Sequence, residues 1–211
     1  MDPKFELRHT SLVRAAQSTC FIGVNPGIDD RGNEVLYSSG NAFFVGPQTL
    51  ITAAHVVPDN KRRIVAQIPG TRERTPLVST MFNNPPFEVL DCTCIATGRP
   101  DVDISILQVT GTWKTEKYLQ LDKEPLDIDS RPPVDLVGYV GRYDECYIQH
   151  LNPRVLTGSE IRDFEALLPK TKLLISHGSL VNGGIMPTYA VTTAVGMSGC
   201  PVLCDGGVIG I

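Results

Sequence analysis

The chain has 211 residues, 42% hydrophobic and 20% charged, which is ordinary for a globular protein of one large domain or two small lobes. Its formal net charge of −4 argues against a nucleic-acid partner bound through a basic face. No stretch approaches the roughly 20 apolar residues of a membrane-spanning helix, so no membrane partner is expected. The N-terminus lacks the apolar core of a secretory signal, which predicts an intracellular, cytoplasmic protein with reduced cysteines.

Short apolar runs separated by turn residues recur in two blocks. Most of them contain Val, Ile, Phe or Thr, which suit half-buried strands, so the pattern predicts an all-β fold of two antiparallel barrels or sandwiches. Between the blocks, residues 110–133 are polar and rich in proline, as is typical of a linker. The runs are Ser18–Val24, Asn41–Val45, Thr49–Ala54, Arg63–Ile68, Glu88–Ala96 and Ile104–Val109, then Val134–Val140, Cys146–His150, Lys172–Ser176, Tyr189–Ala194, Pro201–Cys204 and Gly207–Ile211.

Two segments suggest helices. Thr157–Glu160 match a capping box, and the apolar residues that follow recur at helical spacing until Pro169. We interpret this segment as a surface helix on the second lobe, with a lid over a site as the alternative. Phe5–Gln17 could form a further helix.

The strongest local signal for chemistry is Gly196-Met197-Ser198-Gly199. A serine between glycines lets the backbone turn sharply and exposes the hydroxyl. The same turn can direct the N–H groups of Gly196 and Ser198 at one point, as in an oxyanion hole. Such a motif also occurs in ordinary turns, so it indicates a nucleophile only together with a base.

A base and an orienting carboxylate both occur beside earlier strands. His55 follows an apolar run that ends in two alanines, which leave the imidazole room to lean into a cleft. Asp103 heads another apolar run, whereas its neighbour Asp101 is interpreted as a turn residue. These residues and Ser198 would form a catalytic triad. Taken alone, His55 could equally be a structural residue at a strand end.

Taken together, Thr52-Ala53-Ala54-His55, the strand after Asp103 and the Ser198 turn resemble the chymotrypsin/trypsin-like serine peptidases. The order of histidine, aspartate and serine is that of the family, and the resemblance covers roughly residues 18–211. Met197 stands where secreted members carry an acidic residue, and the N-terminal segment that those members cleave is missing. The resemblance is therefore closest to the HtrA-like branch, which needs no zymogen cut.

The resemblance implies two six-stranded β-barrels, a peptide or protein substrate and no cofactor. The chain stops before the family's last strand, so the second barrel is expected to be incomplete and further domains could follow residue 211. The implied division is an N-terminal extension at 1–17, a first barrel at 18–112 with His55 and Asp103, a linker at 113–133, and a second barrel at 134–211 with Ser198.

A specificity pocket is also implied by the resemblance. Thr192, Thr193 and Ala194 fall in the wall of the family's primary specificity pocket. Because no Asp stands there to attract Lys or Arg, we expect a small or medium apolar P1 residue in the substrate.

Two alternatives to a peptidase remain, and the first of them depends partly on Cys200. Cys200 replaces a family glycine, and we interpret it as a small buried hydrophobe and not as the nucleophile. Cys200 and the incomplete second lobe would suit a non-catalytic or latent regulatory or binding domain of a larger protein. An esterase that uses the same triad is a weaker reading.

Metal binding is not expected, although four residues could supply zinc ligands. Reduced thiols on adjacent strands are the preferred interpretation of these positions, and His177 is interpreted as a strand-end or turn residue. The four are Cys92, Cys94, Cys146 and His150.

Overall fold

A computed structural model describes residues 3–28, 34–57, 63–69, 87–99, 101–122, 129–139, 173–182, 188–191, 193 and 196–211. The helix predicted after Thr157 and the run Cys146–His150 lie outside them. The elements within them are α1 (Pro3–Ser18), β1 (Thr19–Ile28), β2 (Glu34–Phe44), β3 (Thr49–Thr52), a 3₁₀ turn (Ala54–Val56), β4 (Ile64–Pro69), β5 (Phe87–Thr97), β6 (Ser105–Val109), β7 (Pro133–Tyr139), β8 (Leu173–Asn182), β9 (Thr188–Ala190), β10 (Val202–Cys204) and β11 (Gly207–Gly210).

The first lobe is a closed antiparallel barrel in the order β1-β2-β3-β6-β5-β4. The six apolar runs of the first block fall on its six strands, so the all-β prediction is confirmed. Alternate residues of β6, such as Leu107 and Val109, are buried because successive side chains of a strand point to opposite faces. Together with buried residues of β1 to β5, they fill the interior of the barrel.

The second lobe is a five-stranded sheet in the order β11-β10-β7-β8-β9 among the described residues. Five of the predicted runs fall on these strands. The strand β8 continues to Asn182, well beyond the predicted end at Ser176, because Gly178 and Ser179 pair with β7 instead of forming a turn. The prediction that His177 lies at a strand end or in a turn is therefore wrong, since it lies in the middle of β8.

The two lobes and α1 share one buried cluster. It joins Ala15 of α1 and Phe43 of β2 to Val137 of β7, and Leu119 of the connecting segment completes it. Hydroxyl groups cap the helix end, since Thr19 Oγ1 donates to the Ala15 carbonyl at 2.8 Å. Within the described part of the chain, no helix is both long and apolar enough to cross a bilayer.

A cluster of ionisable side chains links α1 to the second sheet. Arg8 donates to both carboxylate oxygens of Asp135, through Nη2 at 2.6 Å and Nε at 2.9 Å, and His177 Nδ1 also contacts this carboxylate. Burial alone would raise the pKa of Asp135. The hydrogen bonds from Arg8 and His177, together with the charge of Arg8, outweigh burial and hold this pKa below its ordinary value.

We expect Asp135→Asn to lower the free energy of unfolding by about 1.5–3 kcal/mol at pH 7, because hydrogen bonds to a charged group are lost. A carboxylate with a lowered pKa stabilises the fold above its unfolded-state pKa, near 3.9, and this contribution disappears as the pH falls through the folded-state pKa. Urea unfolding at pH 7, 5 and 3 should therefore show a difference between wild type and variant that is constant down to about pH 5 and then shrinks.

The matched control is Asp91→Asn, which removes an exposed ion pair with Arg63. Exposed pairs contribute at most about 1 kcal/mol, so its effect at pH 7 should be clearly smaller. Equal losses from the two variants, or a difference for Asp135→Asn that is as large at pH 3 as at pH 7, would contradict this account.

Candidate active site

The candidate base and its carboxylate meet where two strands of the first barrel end. The 3₁₀ turn that follows β3 carries His55, and Asp103 lies two residues before β6, which pairs with β3. The His55 backbone N–H donates to Asp103 Oδ1 at 2.9 Å, and His55 Nδ1 lies 2.5 Å from Asp103 Oδ2. Two bonds to one carboxylate fix both the backbone and the ring of His55.

The negative charge of Asp103 determines which nitrogen of the His55 imidazole carries the proton. Burial alone would raise the pKa of Asp103, but the hydrogen bonds from the His55 ring and backbone outweigh it and lower this pKa. An ionised carboxylate only accepts hydrogen bonds, so Nδ1 of His55 must carry the proton. The lone pair on Nε2 of a neutral ring is then available to accept a proton from another group.

The candidate nucleophile lies in a turn between β9 and β10. Gly196 and Gly199 have φ angles of +87° and +83°, which favour glycine, and Cys200 N–H donates to the Met197 carbonyl at 3.1 Å. The side chain of Met197 is buried in the core of the second lobe. The turn is therefore anchored on the second sheet and half-exposes Ser198.

Gly40 on β2 brings the histidine turn and the serine turn close together. A Cβ atom at this position would lie 2.6 Å from Val56 Cγ2 and 2.7 Å from the Ser198 carbonyl oxygen. Only a residue without a side chain allows both approaches. Since Val56 is the neighbour of His55, the turns that carry His55 and Ser198 lie side by side against Gly40, at the junction between the lobes.

The three predicted triad residues differ in how closely they are joined. Among the described contacts, His55 is hydrogen-bonded to Asp103, but the Ser198 hydroxyl is not hydrogen-bonded to the imidazole. Catalytic hydrogen bonds are often long before substrate binds and tighten in the reacting complex. The Gly196 and Ser198 N–H groups donate to no other described residue. Of the predicted pocket residues, Thr193 is exposed, whereas Thr192 and Ala194 lie outside the described residues.

The cysteine closest in sequence to Ser198 is Cys200. Cys200 is buried, as predicted, and burial raises the pKa of its thiol well above the ordinary value. Free thiols also occur at Cys20, Cys92, Cys94 and Cys204. Within the described ranges, no group of three or more His, Cys, Asp or Glu residues could hold a metal, and Cys146 and His150 lie outside those ranges.

Asn41 is the residue that sequence reasoning missed. It is fully buried on β2, where its backbone N–H donates to the Ser198 carbonyl at 2.7 Å and its amide donates to the Gly196 carbonyl at 2.5 Å. Its partners are backbone atoms distant in sequence, and no sequence motif reports such contacts. The weak signal in the sequence is a polar residue that opens an apolar run, since such a residue needs hydrogen-bond partners if it is buried.

Comparison with known proteins identifies the family and the fold. A family model described as a trypsin-like peptidase domain matches residues 40–211. Among solved structures, the crystal structure of Deg5 is similar at a TM-score of 0.60 and 10% sequence identity, covering 100% of this chain and 86% of that one. At this identity the likeness concerns the fold alone. No curated protein sequence matches the chain.

Proposed function

Because the chain belongs to the trypsin-like peptidase family, we propose that it is a serine endopeptidase that hydrolyses peptide bonds through an acyl-enzyme. The observation that carries the proposal is the pair of hydrogen bonds between His55 and Asp103. It leaves a proton-accepting nitrogen at the junction where the Ser198 turn lies. A hydrogen-bonded carboxylate–imidazole pair near a serine between glycines suits acyl transfer.

In the proposed reaction, Ser198 Oγ attacks the carbonyl carbon of the scissile bond while its proton passes to His55 Nε2. The oxygen of the tetrahedral intermediate accepts hydrogen bonds from the Gly196 and Ser198 N–H groups. His55 then protonates the leaving amine as the C–N bond breaks, and an acyl-enzyme remains. A water molecule, deprotonated by the same imidazole, attacks the ester and releases Ser198. Asp103 stabilises the imidazolium in both steps.

The proposed substrates are peptides or proteins with a small or medium apolar P1 residue. This preference rests on the threonine and alanine residues at 192–194, which offer no carboxylate to a basic side chain. A panel of peptides that differ only in P1 tests it directly. Preferred cleavage after Lys or Arg would contradict the assignment of this pocket.

The triad itself is tested by treating the folded protein with a fluorophosphonate. An activated Ser198 Oγ would form a P–O bond and release fluoride, so intact-mass analysis should show one adduct that maps to Ser198. The adduct should be absent from Ser198→Ala, from His55→Ala and from heat-denatured protein, while the circular dichroism of the two variants matches that of wild type. An adduct at another residue, or one that persists in Ser198→Ala, would contradict the proposed nucleophile.

A latent or binding module of the same fold is the second candidate. It is favoured by one observation, namely that the described contacts of Ser198 do not include a hydrogen bond to His55. A folded wild-type chain that stays unlabelled and cleaves none of the peptides would support this candidate. Labelling of wild type at Ser198 would exclude it, because reaction requires a formed nucleophile and base.

A further inference from the structure

We propose that Asn41 is a positioning residue for catalysis, which fastens the nucleophile turn of one lobe to the barrel of the other. The inference rests on the proposed function for its effect on rate, but the fastening itself is a structural claim that can be tested separately. Asn41 touches neither the reacting atoms nor His55 in the described contacts. It acts through the backbone on both sides of Ser198.

Every polar group of Asn41 has a partner at the junction. Its Nδ2 donates to the carbonyls of Tyr139 at 2.8 Å and Gly196 at 2.5 Å, and its Oδ1 accepts from the Tyr139 N–H at 2.8 Å. Its backbone N–H donates to the Ser198 carbonyl at 2.7 Å, and its carbonyl accepts from Thr52 Oγ1 at 2.6 Å. One side chain thus joins β2, the end of β7 and the nucleophile turn.

The chemistry of these partners requires an amide at this position. Two of them are carbonyl oxygens that need donors, and the third is an N–H that needs an acceptor. Asparagine supplies two donors on one atom and an acceptor on the other, so its orientation is fixed by its partners. Aspartate would place acceptors against two carbonyls, and leucine would leave all three buried backbone groups unpaired.

The two anchor points hold the part of the turn that does the chemistry. The carbonyls of Gly196 and Ser198 are both bound by Asn41, so the peptide planes that follow these residues are fixed on either side of Met197. Gly196 has a φ of +87°, and the hydrogen bond that its carbonyl accepts from Asn41 restrains the flexible glycine backbone in this conformation. Loss of the anchor should let the Ser198 hydroxyl and the oxyanion N–H groups move relative to His55, which the first barrel carries.

The test compares Asn41→Ala with Leu107→Ala. Leu107 is fully buried in the first barrel, among core residues that do not include the nucleophile turn, so its loss destabilises the lobe but leaves the anchor intact. Three quantities are measured well below both thermal midpoints: the maximal rate of fluorophosphonate labelling, the reagent concentration for half that rate, and hydrogen exchange of the backbone amides at 197–200. Asn41→Ser is the substitute if Asn41→Ala does not fold, since a hydroxyl on a shorter side chain cannot bridge Gly196 and Tyr139.

We expect Asn41→Ala to lower the maximal labelling rate by about 10- to 100-fold with little change in the half-saturating concentration, because misplaced reacting groups slow the chemical step. Exchange at 197–200 should become faster. In Leu107→Ala all three quantities should stay close to wild type. A purely structural role would give the two variants equal effects at equal loss of thermal midpoint, which would overturn the inference.

Failure of this inference and failure of the proposed function give different results. If wild type is labelled and Asn41→Ala is labelled at the same rate, the positioning role is wrong while the peptidase proposal stands. If wild type itself is not labelled, the peptidase proposal fails, and hydrogen exchange at 197–200 alone tests whether Asn41 anchors the nucleophile turn. Unchanged exchange at 197–200 in Asn41→Ala would then overturn the anchor as well.

Discussion

Asp103→Asn is expected to lower kcat of peptide cleavage by about 10⁴-fold while the fold and KM change little. The asparagine amide can still accept from the His55 backbone N–H, as Asp103 does at 2.9 Å, so the histidine turn should keep its place. Its NH₂ group would instead donate to Nδ1, which moves the imidazole proton to Nε2. The ring would then present a proton to Ser198 where a lone pair is needed.

The control for this variant is Asp101→Asn. Asp101 is exposed, lies two residues from Asp103 and is 3.9 Å from Arg99, so the substitution changes local charge without touching His55. Its kcat should stay within about two-fold of wild type, because exposed charge pairs contribute little. Equal losses in both variants would show that net charge near the site matters and that the imidazole tautomer does not.

Gly138→Ala is expected to destabilise the protein by about 3 kcal/mol, because the space for a side chain is already filled. A Cβ atom on Gly138 would lie 1.7 Å from Cys200 Sγ and 3.1 Å from Cys200 Cβ. Both residues are buried where β7 meets the end of the nucleophile turn, so neither can move aside without disturbing it. Urea unfolding followed by fluorescence measures the loss.

The interpretation is tested by adding Cys200→Gly, which removes the overlapping atoms. The double variant should be more stable than the sum of the single losses predicts, by about 1–3 kcal/mol, as expected for residues in contact. Gly46→Ala is the matched control, since a Cβ there meets only Thr49 at an ordinary 3.6 Å and should change stability little. Additive losses from Gly138→Ala and Cys200→Gly would contradict the steric account.

Much of the fold follows from local patterns in the sequence. The six strands of the first barrel lie on runs of β-branched and aromatic residues, and their alternation decides which face is buried. The true end of β8 could not be predicted, because Gly178 and Ser179 favour turns in isolation and are held in the strand by pairing with β7. The five-stranded order of the second sheet likewise depends on pairings between segments distant in sequence.

The candidate site could likewise be predicted only in part from the sequence. Three short motifs predict His55, Asp103 and Ser198, and the structure joins the first two by hydrogen bonds. Asn41 could not be assigned, since each of its side-chain bonds ends on a backbone atom and so imposes no residue type on its partner. The close contact between Cys200 and Gly138 could not be predicted either, because it depends on the distance between β7 and the nucleophile turn.

The contact between Asn41 and Gly196 also bears on the order of events during synthesis of the chain. The two residues are 155 positions apart in sequence, which a ribosome takes on the order of 10 s to translate. Until the second lobe has emerged and docked, the nucleophile turn has no anchor. Under the proposed function, the His55–Asp103 pair of a nascent first barrel therefore has no serine to activate until the second lobe has been translated and has docked.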